Sequence, residues 1–524
     1  MALLRAVVTV GGFTMASRVL GFVRDVLVAA LLGAEAGADA FFVALRLPNF
    51  FRALFAEGAF SAAFVPLYAG LLESEGRRRA LAFASEVLAV LLAALLALTF
   101  AVEAAMPWVM TVLAPGFVGD PVRFDLAVDL TRVTFPYLTL LSLVALLGAT
   151  LNAAGHFAAF AAAPILLNAC MIAAALLAGP LGMPVPATLA WGVAAAGIAQ
   201  FLLLATVAAR HDCLPRLSWP RLTPDVRRLS RLILPVALGA GITQVNLFVG
   251  VIIATFLPTG AVSFLYYADR LYQLPLGVVG IAIGTALLPL LARQIRAGNV
   301  DAAMANQNRA IEAALLLTVP AALALALLAD PIVAVLFQRG AFDVAAARAT
   351  AAALVAFVGG LPAAVLARAL TPGFFARQDT ATPVRIALAS MVVYVAVATG
   401  LAFVLGHVGI AVATSAAAWL NAVLLARALG LRGHLVVDAR LRRRAPRLVA
   451  ASGVMGVVVA LARPLAERWI VEGGVQAWLA LGALVALGLG TFALAAQALG
   501  AAALADLRGL RRGPRLDRGA NDGP

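Results

Sequence analysis

Windows of about twenty consecutive apolar residues recur along the whole 524-residue chain, and no other feature limits its fold as much. A helix rises 1.5 Å per residue, so about twenty residues cross a hydrocarbon layer ~30 Å thick. Fourteen such windows can be read: 6–32, 39–70, 80–104, 123–152, 158–179, 186–208, 230–256, 261–292, 308–329, 345–371, 383–405, 408–429, 447–466 and 476–505. In lipid every backbone polar group must find its partner internally, and apolar segments of this length do so as helices. The chain therefore reads as an all-α polytopic membrane protein with 14 transmembrane helices. Its 64% hydrophobic content agrees. Windows 39–70, 123–152, 261–292 and 345–371 are longer than one crossing needs, which predicts kinks at Pro48, Pro136, Pro275 and Pro362.

Charge orders the windows. All 39 basic residues are arginine, and the net charge is +14. Placing the N-terminus in the cytoplasm puts 26 arginines in inside segments and 4 in outside segments. That asymmetry follows the positive-inside rule and sets both termini in the cytoplasm. Because the arginines alternate with apolar spans, the basic balance reads as topology, and no nucleic-acid partner is expected. Without lysine there is neither a Walker A phosphate loop nor a Schiff base, so uphill movement must draw on an ion gradient, the membrane potential or downstream consumption. Two cysteines, Cys170 and Cys213, and four scattered histidines offer no metal-ligand spacing. No H-E-x-x-H, aspartate-rich diphosphate motif or nucleophile elbow occurs. The expectation is a non-enzyme without cofactor or metal.

The first two windows break the apolar rule. Residues 15–72 carry Arg18, Arg24, Asp25, Asp39, Arg46, Arg52 and Glu57. One charge at the centre of a spanning helix costs about 2.5–3.5 kcal/mol on insertion scales. Several in one hairpin must face each other, water or a ligand. Asp269 and Arg270 repeat the pattern in window 261–292. Arg18, Arg24, Arg46, Arg52 and Arg270 outnumber their candidate partners Asp25, Asp39, Glu57 and Asp269, with Asp39 expected near the outer mouth. Arg18 and Asp25 share a helix face about 10 Å apart, too far to pair, while Arg24 points roughly 120° away. Asn49 and Arg52 present one polar face. An excess of guanidinium in a low-dielectric chamber calls for an anion, and the planar fork suits a diphosphate. The alternative is a purely structural ion-pair network.

The sequence also repeats weakly. Ala44-Leu45-Arg46-Leu47 matches Ala268-Asp269-Arg270-Leu271 at an offset of 224, and Pro107…Gly116 meets Pro331…Gly340 at the same offset. This predicts two pseudo-symmetric six-helix lobes. The expected organisation is an N-lobe at 1–210, a C-lobe at 211–430 preceded by a basic loop, two further helices in 431–506, and a basic, disordered cytoplasmic tail at 507–524. Substrate sites in such folds lie between the repeats, near mid-bilayer.

Specific motifs can now be compared. Ser17-Arg18-Val19-Leu20-Gly21-Phe22-Val23-Arg24-Asp25, Asp39-Ala40-Phe41, Leu47-Pro48-Asn49 with Arg52, and Ala56-Glu57-Gly58-Ala59-Phe60 through Pro66 resemble the MurJ/MviN family of lipid II flippases. So do Tyr266-Tyr267-Ala268-Asp269-Arg270-Leu271, Gly284-Thr285, Gln338-Arg339-Gly340-Ala341-Phe342 and Gly409-Ile410-Ala411. The resemblance covers about residues 1–430. It implies the multidrug/oligosaccharidyl-lipid/polysaccharide exporter fold in a bacterial cytoplasmic membrane. The implied substrate is lipid II, undecaprenyl diphosphate bearing the peptidoglycan disaccharide-pentapeptide. It implies that Arg18, Arg24, Arg52 and Arg270 line the cavity and hold the diphosphate, that Asp25, Asp39 and Glu57 belong to the polar cavity and gate, and that Ser17, Asn49, Ser263 and Asp269 lie near the pathway. Other readings are export of another polyprenyl-diphosphate-linked oligosaccharide and cation-coupled drug export on the same fold. Some family members bind sodium through acidic or amide side chains. Here Gly250, Tyr394 and Ala398 stand at those positions, with Thr414 as the remaining candidate, so Na+ coupling, H+ coupling and membrane potential stay open.

Overall fold

Each apolar window is long enough to close its own hydrogen bonds, and the computed structural model shows helices throughout. It describes residues 2–51 and 60–501, with the side chains of 2–8, 51, 61, 62, 234–247, 281 and 285 outside the description. In chain order the helices are α1 (Ala2–Leu32), α2 (Ala36–Phe51), α3 (Phe60–Ser74), α4 (Arg77–Ala104), α5 (Met106–Leu113), α6 (Pro121–Thr134), α7 (Tyr137–Ala153), α8 (Ala158–Leu181), α9 (Val185–Arg210) and α10 (Pro224–Thr255). They continue with α11 (Ala261–Arg296), α12 (Val300–Leu327), α13 (Ala329–Phe337), α14 (Val344–Val358), α15 (Leu361–Phe375), α16 (Ala381–Leu405), α17 (His407–Leu431), α18 (Ala439–Glu472) and α19 (Gly474–Ala498). Among the described residues no strand occurs, and eleven helical stretches are long and apolar enough to cross a membrane.

The over-long windows resolve in two ways. At Pro136 and Pro362 the helix breaks, giving α6/α7 and α14/α15, because proline lacks the N–H and clashes with the preceding turn. Pro48 and Pro275 are instead carried inside α2 and α11. The short polar segments between helices supply N-caps. Asp120, Thr223, Asn299 and Asp438 each accept from the backbone N–H three residues on, at 3.3, 3.4, 3.2 and 2.7 Å. Such a cap contributes about 1 kcal/mol.

The chain divides into two compact units: residues 1–267 with 336–350 and 394–410, and residues 268–335 with 351–393 and 411–524. In unit 1 an aromatic core gathers Phe60, Phe64, Tyr68 and Phe83, with the Phe64 ring 5.5 Å from both Tyr68 and Phe83. Lipid gives helices no hydrophobic drive to associate, so such close packing carries the cohesion. The end of α1 is pinned to the 339–342 turn, where Ala341 N–H donates to Ala30 C=O at 2.8 Å. Gly33 and Gly340 make that crossing: both have positive φ (61° and 57°), and a Cβ on Gly340 would sit 2.3 Å from the Ala30 oxygen.

In unit 2, α18 and α19 pack on α12 through Leu328, Met455, Val459 and Leu484. One polar hub fastens α18 to α12. Buried Glu312 on α12 accepts from Arg309, from Arg440 at 3.1 Å and from Arg444 at 2.6 Å. Part of the basic cluster after residue 438 therefore acts inside the protein, pairing α18 with α12. Between α12, α18 and α19 runs an apolar groove of about 410 Å³, lined among others by Leu317, Ala324, Val459, Val485 and Phe492.

Candidate functional site

The charges of α1 are organised by a residue that the apolar-window reading passes over. Arg24 donates through Nε and Nη2 to Asp25 Oδ1 at 3.0 and 2.7 Å, and through Nη1 to Asn168 Oδ1 of α8 at 2.9 Å. Adjacent helical residues point about 100° apart. The long arginine stem folds back to close the gap, so Arg24 and Asp25 form a buried pair despite their divergent directions. Asn168 is itself fixed, because its Nδ2 donates to the Ser17 carbonyl at 2.9 Å and to Ser17 Oγ at 3.4 Å. Tyr266 Oη reaches Asp25 Oδ1 at 3.5 Å, and its ring stacks on Phe42 at 3.9 Å. Six residues before Arg24, Arg18 is exposed and makes no ion pair among the described residues.

Asp39 serves a different end. It is 1% exposed and accepts from Gly260 N–H at 2.7 Å, Ser263 N–H at 2.9 Å and Ser263 Oγ at 2.6 Å. A carboxylate on α2 thus caps the N-terminus of α11, where free N–H groups and the helix dipole favour negative charge. Close by in unit 1, Phe264 lies 5.1 Å from the His407 ring, whose Nε2 meets Ala349 C=O at 2.9 Å. Asn49 is exposed on α2 and Arg46 half-buried three residues before it.

Unit 1 therefore brings together Ser17, Arg24 and Asp25 in one network and Asp39 with Ser263 in another. In unit 2, Asp269 and Arg270 are half-buried on α11, and Asp269 accepts from Gln273 one turn on. Arg52 and Glu57 lie outside the described residues. Of the positions compared with sodium ligands, Thr414 is half-buried on α17. Gly250 and Ala398 carry no oxygen in their side chains, and the Tyr394 phenol occupies the space beside Gly250, where a Cβ would meet its Oη at 2.4 Å.

Chemically the α1 network is a guanidinium held in one orientation by a carboxylate and an amide, with a second, exposed guanidinium about 9 Å further along the same helix. A guanidinium fixed in this way has the charge and geometry to orient an anion. It presents no nucleophile.

Residues 28–477 match the family model described as "Lipid II flippase MurJ". A probable lipid II flippase MurJ of Rhizobium tropici is 47% identical over 474 residues, covering 90% of this chain and 88% of the relative. The lipid II flippase MurJ of Burkholderia cenocepacia is 38% identical over 447 residues, covering 83% and 85%. Among solved structures, a lipid II flippase MurJ in an inward closed conformation superimposes with a TM-score of 0.78 at 23% identity, covering 96% of this chain and all of the other. An inward-facing MATE-family multidrug transporter of the MOP superfamily gives 0.65 at 16% identity, covering 81% and 97%.

Proposed function

This chain belongs to the MurJ family of lipid II flippases, and from that premise we propose that it carries lipid II from the cytoplasmic to the outer leaflet of the bacterial inner membrane by alternating access. The reading takes fourteen spans in two six-helix lobes (1–210 and 211–430) with the added pair in 431–506, both termini being cytoplasmic. Arg18, Arg24, Arg52 and Arg270 hold the diphosphate, with Ser17, Asn49 and Ser263 beside the pathway. Asp25, Asp39, Glu57, Arg46 and Asp269 form the polar cavity and gate. The two lobes rock, and the headgroup crosses.

The observation that carries this reading is the Arg24 network. A guanidinium inside an apolar helix is oriented by Asp25 and Asn168 at bonding distance. Arginine fixed in this way lets a diphosphate bind without the entropy cost of ordering a long side chain. The isoprenyl tail stays in lipid throughout, since burying it among charges would forfeit about 0.8 kcal/mol per CH₂. The apolar groove of α12, α18 and α19 gives that tail a lipid-side track.

The test is complementation in cells depleted of the native flippase. Arg24→Ala, Arg52→Ala and Arg270→Ala should each insert normally yet fail to support growth, with the precursor accumulating on the cytoplasmic leaflet. Growth supported by all three variants refutes the clamp. Accumulation of a different polyprenyl-linked oligosaccharide would instead identify a sister exporter.

A further inference from the structure

One polar strip in unit 2 is not accounted for by the diphosphate. Asp269, Gln273, Leu276 and Gly280 are spaced four, three and four residues apart, so they fall on a single stripe of α11. Arg368, from the middle of α15, lies across the far end of that stripe. Its Nη1 donates to the Leu276 carbonyl at 3.4 Å, and its Cδ and Nη1 pass 2.7 and 2.8 Å from where a Cβ on Gly280 would stand. Glycine at 280 is what lets the guanidinium lie flat on the helix. Tyr272 is buried on the same stretch of α11.

Three features separate Arg368 from a side chain reaching for headgroups. It is exposed, yet it points along α11 rather than away from it. It makes no ion pair among the described residues, and one long hydrogen bond leaves most of its five donors open. The stripe it lies on begins with a carboxylate and an amide, Asp269 and Gln273. An uncompensated guanidinium at this depth is costly unless a ligand or water meets it.

We infer that Arg368 binds a carboxylate of the substrate headgroup and so selects peptide-bearing lipids. The inference rests on the proposed function and adds a specificity residue to it. Leu276 and Gly280 lie six and ten residues beyond Arg270, about 9 and 15 Å along the helix. A diphosphate seated on Arg270 does not extend that far, whereas a disaccharide carrying an acidic peptide does. A planar fork facing a carboxylate forms two parallel charge-assisted bonds.

The test measures binding of two lipids to purified protein in nanodiscs: undecaprenyl diphosphate bearing the disaccharide-pentapeptide, and the same lipid bearing the disaccharide alone. The wild-type chain should prefer the peptide-bearing lipid. Arg368→Ala should weaken that lipid about ten-fold, the worth of one charge-assisted contact, and leave the peptide-free lipid unchanged. Arg368→Lys should retain part of the preference, and Gly280→Ala, which pushes the guanidinium off α11, should mimic the alanine variant. Equal loss for both lipids, no loss for either, or a wild-type chain that does not distinguish them overturns the inference and leaves the flippase reading standing. A wild-type chain that binds neither lipid overturns both.

Discussion

At the scale of single residues, charge was legible and the amides were not. Arg24, Asp25 and Asp39 stand out because an ionisable group in an apolar window costs too much to be incidental. Asn168 costs far less to insert, and one amide hardly lowers the hydropathy of the 24-residue helix α8. The signal that could have found it is that polar side chains in spanning helices join neighbouring helices. Its two bonds make a sharp expectation. Asn168→Ala removes the acceptor of Arg24 and the donor to the Ser17 carbonyl. Stability in detergent should fall by about 1–3 kcal/mol, the cost of leaving buried partners unsatisfied. Complementation should fall with it, because Arg24 is then held by Asp25 alone among these two supports. Asn168→Asp keeps the acceptor toward Arg24 and should recover more activity than alanine does. Thermal unfolding together with growth at matched expression checks this, and an alanine variant equal to wild type in both removes Asn168 from the site.

At the scale of elements, apolar length gave the helices and proline gave half of the breaks. Pro136 and Pro362 interrupt their helices, while Pro48 and Pro275 do not. Sequence does not separate the two outcomes, since a helix keeps an internal proline wherever its neighbours tolerate the freed carbonyl. Helix starts carry a signal of their own, because an Asp, Asn or Thr immediately before a helix caps its first turn. One cap makes a pH prediction. Asp379 accepts from Thr382 N–H at the start of α16 and pairs with Arg432. The Thr382 backbone N–H, the Thr382 hydroxyl and Arg432 hold its carboxyl well below the ordinary value of 3.8. The folded state therefore binds its proton less readily than the unfolded chain does. The resulting stability is fully present above pH 3.8 and is lost as pH falls through the lowered folded value. Asp379→Asn should accordingly unfold earlier than wild type at pH 7, with the gap between the two melting curves narrowing only below about pH 4. A gap that does not change with pH would show that the cap acts through shape and not through charge.

At the scale of the molecule, the arginine count carries most of what the sequence says about orientation, and it is open to direct test. Segments assigned to the cytoplasm hold 26 of the 39 arginines, and those assigned outside hold 4. Two of the outside four are already engaged within the protein. Arg123 pairs with Asp120 at 2.7 Å, and Arg463 pairs with Asp330 at 3.0 Å. A paired arginine presents less free charge to a translocating loop, so the effective asymmetry exceeds the raw count. On the inside, Arg440 and Arg444 are likewise tied to Glu312, but Arg442 and Arg443 are exposed and unburdened by any ion pair among the described residues. The α18–α19 hairpin is the most discriminating place to read the result, because it separates an even from an odd number of crossings. A fluorescent protein fused after Pro524 should fold and fluoresce, which requires the cytoplasm. Alkaline phosphatase inserted at Gly473, between α18 and α19, should be active, which requires the outside. Reversal of both signals would invert the topology. A dark fluorescent protein after Pro524 together with an active phosphatase at Gly473 would break the fourteen-span count and, with it, the pairing of two six-helix lobes on which a shared arginine clamp depends.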